Sequence, residues 1–298
     1  MACYHPSSIN VQRRATSESA SRFDSVKVPC GKCLGCRTDQ GRDWTIRIVH
    51  ESSLHPLSSW FATFTYHDAH IPGTFDEDPR QFGSLDPEDM RLFVRRLRKR
   101  TKNKVGYYIC GEYGDTTDRP HYHAALFGVQ FLDRVQVGER SGIPVYRSEM
   151  LEAAWPLGHC EISPLSAKSA SYVAGYVTKK AHERVDPRKH LRVDTVTGEI
   201  VRLVPEFSRQ SRRPALGRTW LEKNWEDVYP RDFVMLAGTP FKPPRYYDKR
   251  MEDICPELME EVRFQRWKDI EEIGDEKLIM AEKIHRSRVK LFEQRGKV

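Results

Sequence analysis

Residues 121–127 read His-Tyr-His-Ala-Ala-Leu-Phe, and this stretch decides the fold together with two others of similar character. Residues 60–66 read Trp-Phe-Ala-Thr-Phe-Thr-Tyr, and residues 105–112 read Val-Gly-Tyr-Tyr-Ile-Cys-Gly-Glu. Short runs rich in aromatic and β-branched residues are typical of strands. The turn-rich segment 114–120 separates the second run from the third, which favours a hairpin between residues 105–112 and 121–127.

Helical patterns lie between and after these strands. Asp86 followed by Pro87 is typical of a helix start, because the aspartate can cap the helix and proline suits its first position. Apolar residues then recur at helical spacing to about Thr101, at Met90, Phe93, Val94 and Leu97. Further helices are predicted over 148–155, 166–181, 259–273 and 276–294, with a short strand over 159–163. This mixture predicts an α+β protein.

The composition limits the class of protein. The chain has 298 residues, of which 39% are hydrophobic, 31% charged and 10% aromatic. This balance predicts a folded chain, and no window approaches the roughly 18 apolar residues of a membrane span. The first residues lack the basic-then-apolar pattern of a signal peptide, so we expect no secretion. No GxxxxGK[ST] motif is present, which argues against a P-loop ATPase or helicase.

The net charge of +7 is unevenly distributed along the sequence. Residues 86–104 alone contain eight basic and three acidic side chains. A basic helix of this kind is either a solvated face or a surface that contacts phosphates. The charge therefore permits nucleic acid as a partner without requiring it.

Cysteines form a second pattern near the N-terminus. Cys30, Cys33 and Cys36 are spaced at three-residue intervals, and Cys3 can supply a fourth thiolate. Four such ligands suit tetrahedral zinc, with His5 as a substitute for one of them. An iron–sulfur cluster and three free thiols in a loop are the alternatives. The odd total of seven cysteines predicts a reducing, cytoplasmic setting.

The histidines of the third strand predict a metal site. His121 and His123 are two residues apart and therefore share one face of a strand. If residues 105–112 and 121–127 form a hairpin, Glu112 lies beside both histidines. Two imidazoles and one carboxylate can hold a divalent cation and leave coordination positions open for a substrate. His67 and His70 form a rival pair, although they lie in a loop.

A third pattern lies on the helix predicted over 166–181. At about 100° per residue, Tyr172, Tyr176 and Lys179 fall on one side of this helix. Valines and alanines occupy the opposite side. The helix is thus either an ordinary amphipathic helix whose tyrosines cover a neighbouring surface, or one that presents two phenols and an ammonium group to a ligand.

Together, the metal site and the tyrosine helix predict attack of a tyrosine on a phosphodiester. A phenol with a pKa near 10 is a poor nucleophile, and phosphate charge repels the attacker. A metal ion eases the reaction by neutralising that charge, and Lys179 can stabilise the phenolate or the phosphate. The products are a 5′-phosphotyrosine link and a free DNA 3′-OH, without ATP. Tyr172 and Tyr176 together allow a second transesterification while the first link exists.

The same motifs resemble those of a known family. His121-Tyr122-His123 resembles the histidine–hydrophobe–histidine motif of the HUH endonucleases, and Tyr172-x3-Tyr176-x2-Lys179 is similar to their two-tyrosine motif. More narrowly, the sequence resembles the replication initiation proteins of gokushoviruses, which are single-stranded DNA phages of the microvirus family. The supporting stretches are residues 1–6, 28–36, 111–114, 119–123 and 243–248.

This resemblance implies a fold, an activity and partners. The fold is a central antiparallel sheet with flanking helices over residues 46–184, preceded by a cysteine-rich segment at 1–45 and followed by a basic linker and helical extension at 185–298. The activity is Mg²⁺- or Mn²⁺-dependent nicking of an origin, in single-stranded or replicative-form DNA, and later rejoining. Host helicase and polymerase are the implied partners, in the bacterial cytoplasm and away from membranes.

The sequence departs from the family pattern in two places. Many relatives carry a basic residue between the two tyrosines, where this chain has Gly175. Residues 211–217 read Ser-Arg-Arg-Pro-Ala-Leu-Gly, whereas the family pattern approximates Ser-Arg-x-Pro-Gly-Ile-Gly. We therefore expect no basic contact to phosphate at position 175, and a turn at 211–217 that differs from that of the relatives.

Two other functions fit parts of the sequence. A non-catalytic, zinc-containing DNA-binding protein would use the cysteines and the basic residues, with the tyrosines serving only in packing. An iron oxygenase would use Glu112, His121 and His123 as a two-histidine, one-carboxylate site. The oxygenase gives no role to the tyrosine pair, and the binding protein gives none to the predicted metal site.

Overall fold

The computed structural model describes residues 3–12, 23–73, 83–114, 117–179, 190–193, 198–269 and 273–295. At 11–12, 23–25, 176–179 and 292–295 this description covers the backbone alone. The chain divides into two compact units, one of residues 1–40 and 266–298 and the other of residues 41–265. The division at residues 45 and 184 expected from the sequence remains a prediction.

The described elements follow one another along the chain in a mixed order of strands and helices. The first are β1 (Ser7–Gln12), β2 (Phe23–Val28), α1 (Leu34–Ser53), β3 (Ser59–Tyr66), a 3₁₀ turn (Asp68–His70), α2 (Pro87–Thr101), β4 (Gly106–Tyr113), β5 (Pro120–Phe127), β6 (Val135–Arg140), β7 (Ile143–Arg147) and α3 (Glu149–Ala154). The remainder are β8 (Gly158–Pro164), α4 (Ala167–Lys179), β9 (Leu191–Val193), β10 (Ile200–Arg202), β11 (Phe207–Gln210), α5 (Arg218–Val228), β12 (Val234–Leu236), β13 (Thr239–Phe241), α6 (Arg245–Ile254), α7 (Pro256–Lys268) and α8 (Asp275–Arg295).

Seven strands of the larger unit form one antiparallel sheet, in the order β11-β4-β5-β3-β8-β7-β6. The central strands are those that the sequence predicts, and β5 pairs with both β4 and β3. The pairing sets Glu112 and Thr65 opposite His121 on its two sides. It likewise sets Thr63 opposite His123. The α+β class and the central antiparallel sheet are therefore confirmed.

One face of the sheet packs against α2 and α3. The α2 residues that the sequence assigns to an apolar face are all buried there, namely Met90, Phe93, Val94 and Leu97. Asp86 caps the helix as predicted, because its side chain accepts a hydrogen bond from the Glu88 N–H at 2.8 Å. Tyr122 points to this face and joins the same core. Its neighbours His121 and His123 consequently point to the opposite face.

The opposite face packs against α1 and α4. Ala170, Val173 and Ala174 of α4 are fully buried beside Tyr108 and Ala125 of the sheet. The small side chains of α4 let the helix lie close to the strands, and its start is fixed by reciprocal capping. The Ser169 N–H donates to Ser166 Oγ at 3.1 Å, and the Ser166 N–H donates to Ser169 Oγ at 2.9 Å.

Most predicted element bounds agree with the structure to within three residues. The helix predicted over 148–155 is α3, the strand over 159–163 is β8, and the last helix is α8. The helix over 166–181 is α4 as far as Lys179, since residues 180–181 lie outside the described residues. The helix expected over 259–273 instead begins at Pro256 and ends at Lys268.

Several elements were not predicted. Residues 1–45 have a cysteine-rich and polar sequence, which gave no indication of β1, β2 or the start of α1. Helices α5 and α6 were also missed, because residues 185–250 show weak periodicity. The buried residues of α6 are only Tyr247 and Met251, and those of α5 are only Leu221 and Val228. Two buried positions per helix leave a faint apolar pattern in the sequence.

The segment 211–217 tolerates alanine at one position and requires glycine at another. Gly217 has a φ of +76°, and a Cβ atom there would lie 2.5 Å from Tyr247 Oη. Ala215, which occupies the place of a family glycine, is not among the residues with positive φ. The departure at 215 therefore leaves this turn without backbone strain, whereas Gly217 is required by both its φ and the tyrosine.

The smaller unit joins the N-terminal residues to the last helix. Tyr4 Oη lies 2.8 Å from His285 Nδ1, and His5 Nε2 lies 2.9 Å from Glu282 Oε2. Val289 packs against the core around Tyr4. In the part of the chain that the structure describes, no helix combines the length and apolar character needed to cross a membrane.

Candidate metal centre and nucleophile

Glu112, His121 and His123 meet on the sheet face that carries α4. The ligand atoms of the three side chains lie within 4.8 Å of one another. Glu112 Oε1 is 2.6 Å from His121 Nε2 and 2.9 Å from His123 Nε2. The hairpin of β4 and β5 thus produces the cluster that the sequence predicts, through the pairing of Glu112 with His121.

The outer nitrogen of each histidine is also engaged. His121 Nδ1 lies 3.0 Å from the carbonyl oxygen of Arg119, which can only accept a hydrogen bond. A neutral imidazole that donates from Nδ1 presents an Nε2 lone pair to the cluster. His123 Nδ1 lies 3.1 Å from Thr63 Oγ1, which can accept in the same way. Backbone and hydroxyl partners of this kind orient metal-ligating histidines.

The carboxylate has the properties of a metal ligand. Glu112 is fully buried, and its Oε2 has no hydrogen-bond partner among the described residues. Burial opposes ionisation of this group, but the hydrogen bonds of His121 and His123 outweigh it and hold the pKa below its usual value. A buried carboxylate with a vacant oxygen beside two imidazole nitrogens fits a divalent cation.

Tyr172 lies at the edge of this cluster. Its ring centroid is 5.1 Å from that of His123, with the two planes at 84°. Phe61 stacks on the other side of His123 at 5.3 Å and also contacts Tyr172 edge to face at 6.1 Å. The Tyr172 side chain is 39% exposed. A ligand at the cluster can therefore reach this phenol from solvent.

The other predicted residues of α4 are placed by the backbone alone. Tyr176 and Lys179 belong to the helix, one turn and two turns beyond Tyr172, and the description of residues 176–179 ends at their backbone. Their assignment as second nucleophile and supporting cation remains a prediction. Gly175, between the tyrosines, has open space where a Cβ atom would lie. The position could therefore accommodate the basic residue of the relatives without a clash.

The rival histidine pair does not form a comparable cluster. His67 Nδ1 accepts a hydrogen bond from the Ala69 N–H at 3.5 Å and so caps the 3₁₀ turn. His70 Nδ1 lies 3.2 Å from the carbonyl oxygen of Leu157. Within the described residues, neither belongs to a group of three or more potential metal ligands. Both side chains serve the loop that follows β3.

The basic helix α2 lies behind the sheet, away from the histidines. Tyr122, between them, donates from Oη to the Asp86 carbonyl at 3.0 Å, at the start of α2. Several of the arginines have structural partners: Arg98 donates to the Val105 carbonyl, and Arg91 pairs with Glu88. The charge of residues 86–104 therefore belongs to a different face from the candidate metal centre.

The four cysteines form a second cluster, in the smaller unit. The sulfurs of Cys3, Cys30, Cys33 and Cys36 lie within 4.8 Å of one another, and none forms a disulfide. The N–H groups of the loop point at them: that of Cys30 donates to Cys3 Sγ at 3.2 Å, and that of Cys33 to Cys30 Sγ at 3.3 Å. His5, the alternative ligand, instead pairs with Glu282.

The N–H groups also favour thiolate in this cluster. Burial opposes ionisation of Cys33, but hydrogen bonds from the N–H groups of Cys36 and Tyr4 lower its pKa to about 6. In contrast, burial raises the pKa of Cys3. Four sulfurs at these separations, one of them readily ionised, fit a metal ion with tetrahedral coordination.

Sequence reasoning missed two residues that support the candidate metal centre. Thr63 faces His123 Nδ1, and Phe61 stacks on the His123 ring. Both lie on β3, whose alternating pattern assigns them to one face. The pattern could not identify which strand lies next to β5, and hence which side chains meet the histidines.

Comparisons with known proteins agree with this arrangement. A family model described as a replication-associated protein of the ORF2 type matches residues 59–181, which run from β3 through α4. The replication-associated protein ORF2 of Spiroplasma virus 4 is 29% identical over 276 residues, which is 85% of this chain and 81% of that protein. The replication-associated protein VP4 of Bdellovibrio phage phiMH2K is 31% identical over 248 residues, 78% of this chain and 70% of that protein.

These matches establish the family. The chain belongs to the phage replication-associated proteins, and the matched relatives come from single-stranded DNA phages of the microvirus type. Replication-associated protein ORF4 of Chlamydia phage 1 is a partial match, 28% identical over 52% of this chain and 39% of that protein. No solved structure matches. The residues matched by the family model include Glu112, His121, His123 and Tyr172.

Proposed function

We propose that the chain initiates rolling-circle replication by nicking one DNA strand with a tyrosine, as an endonuclease of the HUH class. Glu112, His121 and His123 hold Mg²⁺ or Mn²⁺, and Tyr172 and Tyr176 are the nucleophiles. The observation that carries the proposal is the contact of Tyr172 with His123, a member of the three-ligand cluster. Membership of the phage replication-associated family supports it.

The residues divide the reaction between them. A bound divalent cation supplies charge neutralisation at the non-bridging phosphate oxygens. Tyr172 loses its hydroxyl proton, and its oxygen forms the new bond to phosphorus. The bond from phosphorus to the 3′-oxygen of the preceding nucleotide breaks, and that oxygen takes up a proton to become a 3′-OH. Lys179 stabilises negative charge on the phenolate or the phosphate.

The link conserves the energy of the phosphodiester. The 5′-phosphotyrosine can therefore be attacked later by a DNA 3′-OH, which rejoins the strand and frees the tyrosine without ATP. Tyr176, one helical turn from Tyr172, can form a second link before the first is resolved. Two nucleophiles of this kind suit a replication cycle that must cut, cut again and rejoin.

The cysteine cluster has a separate role in this proposal. Cys3, Cys30, Cys33 and Cys36 hold a structural Zn²⁺, since four thiolates close the tetrahedral coordination and leave no position for a substrate. The ion would stabilise the fold of the smaller unit, in which a hairpin and α8 meet the cysteine loop. The supporting observation is the convergence of four sulfurs with backbone N–H donors.

The partners follow from the proposed reaction. The substrate is the origin of the phage genome, in single-stranded or replicative form, inside the cytoplasm of the bacterial host. Strand separation and synthesis require a helicase and a polymerase from the host, because the sequence carries no P-loop motif. These partners are inferred from the chemistry that the chain itself lacks.

The test is covalent capture of DNA. Incubation with a labelled single-stranded origin oligonucleotide and Mn²⁺ is expected to give a protein–DNA adduct that survives denaturation, and mass mapping should locate the link at Tyr172 or Tyr176. The Tyr172→Phe, Tyr176→Phe double variant should form none. Adducts that persist in this double variant would contradict the assignment of the nucleophiles.

The same experiment separates the two alternative functions. A non-catalytic DNA-binding protein retains DNA affinity but shows no Mn²⁺-dependent cleavage. An iron oxygenase turns over O₂ with Fe²⁺ and leaves the oligonucleotide intact. Tyr66→Phe is a matched control, because this tyrosine is fully buried on the other face of the sheet and should leave adduct formation intact.

A further inference from the structure

A cavity of about 420 Å³ opens on the sheet face that carries the candidate metal centre. His123 and Tyr172 line one end of it. The proposed reaction uses these two residues and gives no role to the remainder. The other walls come from β7, β8, the start of α4 and the tight turn between β6 and β7. A ligand in this cavity therefore lies directly beside the reacting atoms.

The walls combine apolar and polar chemistry. Phe61, Val145 and Pro164 supply apolar surface, and Arg140 and Glu161 supply a donor and an acceptor. The volume lies in the usual range of about 300–1,000 Å³ for small-ligand sites. Apolar faces with polar groups at one edge suit a flat heterocycle, which stacks through its faces and forms hydrogen bonds through its rim.

We propose that this cavity binds one unpaired nucleobase of the strand being cut, next to the scissile phosphate, and that Arg140 and Glu161 select guanine. The inference rests on the proposed function, because the cavity adjoins the candidate nucleophile. A base that enters it must leave a duplex stack. The substrate at the moment of cleavage is consequently single-stranded or locally opened.

The choice of guanine follows from the two side chains. Arginine donates to the O6 and N7 acceptors of guanine, the commonest specific contact to that base. A carboxylate only accepts, and the free edge of an unpaired guanine offers it N–H groups. Arg140 and Glu161 already contact each other, with Arg140 Nη2 3.2 Å from Glu161 Oε2. The Arg140 side chain is 70% exposed, so their pairing is weak and a base can replace it.

A second cavity continues the path along the same face. It has a volume of about 610 Å³ and is lined by Thr65, His159 and Arg147. The two cavities share Thr63, Arg140 and Glu161 as lining residues. The Arg140–Glu161 pair thus stands between two adjoining hollows. A single strand that follows this track passes the pair at one nucleotide, which is the position we assign to guanine.

The turn that carries Arg140 is held in one conformation. Ser141 and Gly142 connect β6 to β7 with φ values of 51° and 77°. Positive φ at both central residues is typical of the two-residue hairpin turns that match strand twist. Arg140, the last residue of β6, is therefore presented from a defined hairpin, as selection of a base requires.

The experiment measures the base preference of the cut on strands of every sequence. The full-length chain is incubated with Mn²⁺ and single strands of random sequence, and both the covalent adducts and the released fragments are sequenced. Wild-type protein should favour guanine about tenfold at one position beside the cut. Arg140→Ala and Glu161→Gln should reduce that preference to about twofold and leave the other positions unchanged.

The controls and outcomes distinguish this inference from the proposed function. Arg91→Ala removes an equally accessible arginine, paired with Glu88, from the helix behind the sheet and should keep the wild-type preference. Adducts whose base preference does not depend on Arg140 or Glu161 overturn the inference alone. An Arg140-dependent preference for another base overturns the assignment of guanine. Absence of adducts on every strand overturns the proposed function and this inference with it.

Discussion

The candidate metal centre of the sheet and the cysteine cluster of the smaller unit both gather metal-ligating side chains, but they are assembled by different means. Glu112 and His121 come from two strands and meet because their residues are paired in the β4–β5 register. Cys30, Cys33 and Cys36 lie within one loop and the following turn of helix, and only Cys3 comes from elsewhere. One cluster depends on sheet register and the other largely on local spacing.

The two clusters also differ in what they leave open. Three ligands at the sheet leave coordination positions for a phosphate, and Tyr172 stands at the edge. Four thiols close the coordination of a metal ion, and the surrounding residues belong to the core of their own unit. The comparison indicates a reactive site in one unit and a structural site in the other. Four substitutions test this division.

The largest effect is expected for Glu112→Gln. This change retains the shape of a fully buried side chain but removes the charge that two imidazole nitrogens face. Adduct formation with Mn²⁺ should fall by about 10³-fold, because several kcal/mol of charge stabilisation depends on the bound ion. The rate of adduct formation on an oligonucleotide measures the effect.

The matched control is Glu88→Gln, an exposed carboxylate on the helix behind the sheet. It should leave the adduct rate within about twofold of wild type, as expected for an exposed ion pair. Equal losses in Glu112→Gln and Glu88→Gln would show that charge in general, and not the cluster, governs the reaction. Zinc content should be unchanged in both variants.

Cys33→Ser should act on stability and leave the chemistry in place. The substitution removes a buried thiol that backbone N–H groups hold in thiolate form. The apparent free energy of unfolding of the smaller unit should fall by roughly 3 kcal/mol or more, because metal binding and folding are coupled in such clusters. Chemical denaturation with and without a chelator, together with metal analysis, measures the loss.

Cys255→Ser is the corresponding control, since this cysteine lies outside the cluster. It should retain one zinc ion per chain and wild-type sensitivity to the chelator. If Cys33→Ser abolished adduct formation while zinc remained bound, the structural role of the cluster would be wrong.

Thr63→Val tests how the sheet register supports the metal ligands. It removes the hydroxyl that faces His123 Nδ1 at 3.1 Å, so the imidazole loses a group that fixes its tautomer. Manganese affinity and adduct rate should fall by about 10- to 100-fold, the usual effect of losing such a partner. Calorimetric titration with Mn²⁺ measures the affinity.

Thr65→Val removes a neighbouring hydroxyl from the same strand face. Thr65 Oγ1 donates to the His159 carbonyl at 3.4 Å and does not contact His123. This variant should bind Mn²⁺ like wild type. Similar losses of affinity in Thr63→Val and Thr65→Val would assign the effect to the strand rather than to the His123 contact.

The smallest effect is expected for Gly175→Ala. Gly175 lies in helix α4 with open space at its Cβ position, and alanine favours a helix interior over glycine. The free energy of unfolding of the larger unit should rise by about 0.5–1 kcal/mol, without a change in metal content. Thermal unfolding measures the gain. A loss of stability would indicate that the helix needs glycine for close approach, contrary to the geometry.

Much of the fold was predictable because its signals are local. The aromatic strands β3, β4 and β5, the cap at Asp86 and the apolar face of α2 were all identified from short patterns. By contrast, α5 and α6 were missed, since only two residues of each are buried and their packing partners are distant in sequence. The predicted placement of Glu112 beside the histidines depended on a hairpin, the most local form of sheet pairing.

The sequence by itself determined which residues can hold metals or attack phosphate, because residue type and the two-residue period of a strand are local properties. Only the tertiary structure decided which face each of these groups shares. It set Thr63 and Phe61 beside His123, brought Tyr172 to the same edge, and put the basic helix on the opposite side. Strand order and helix packing depend on burial summed over the whole core, which no short segment of sequence contains.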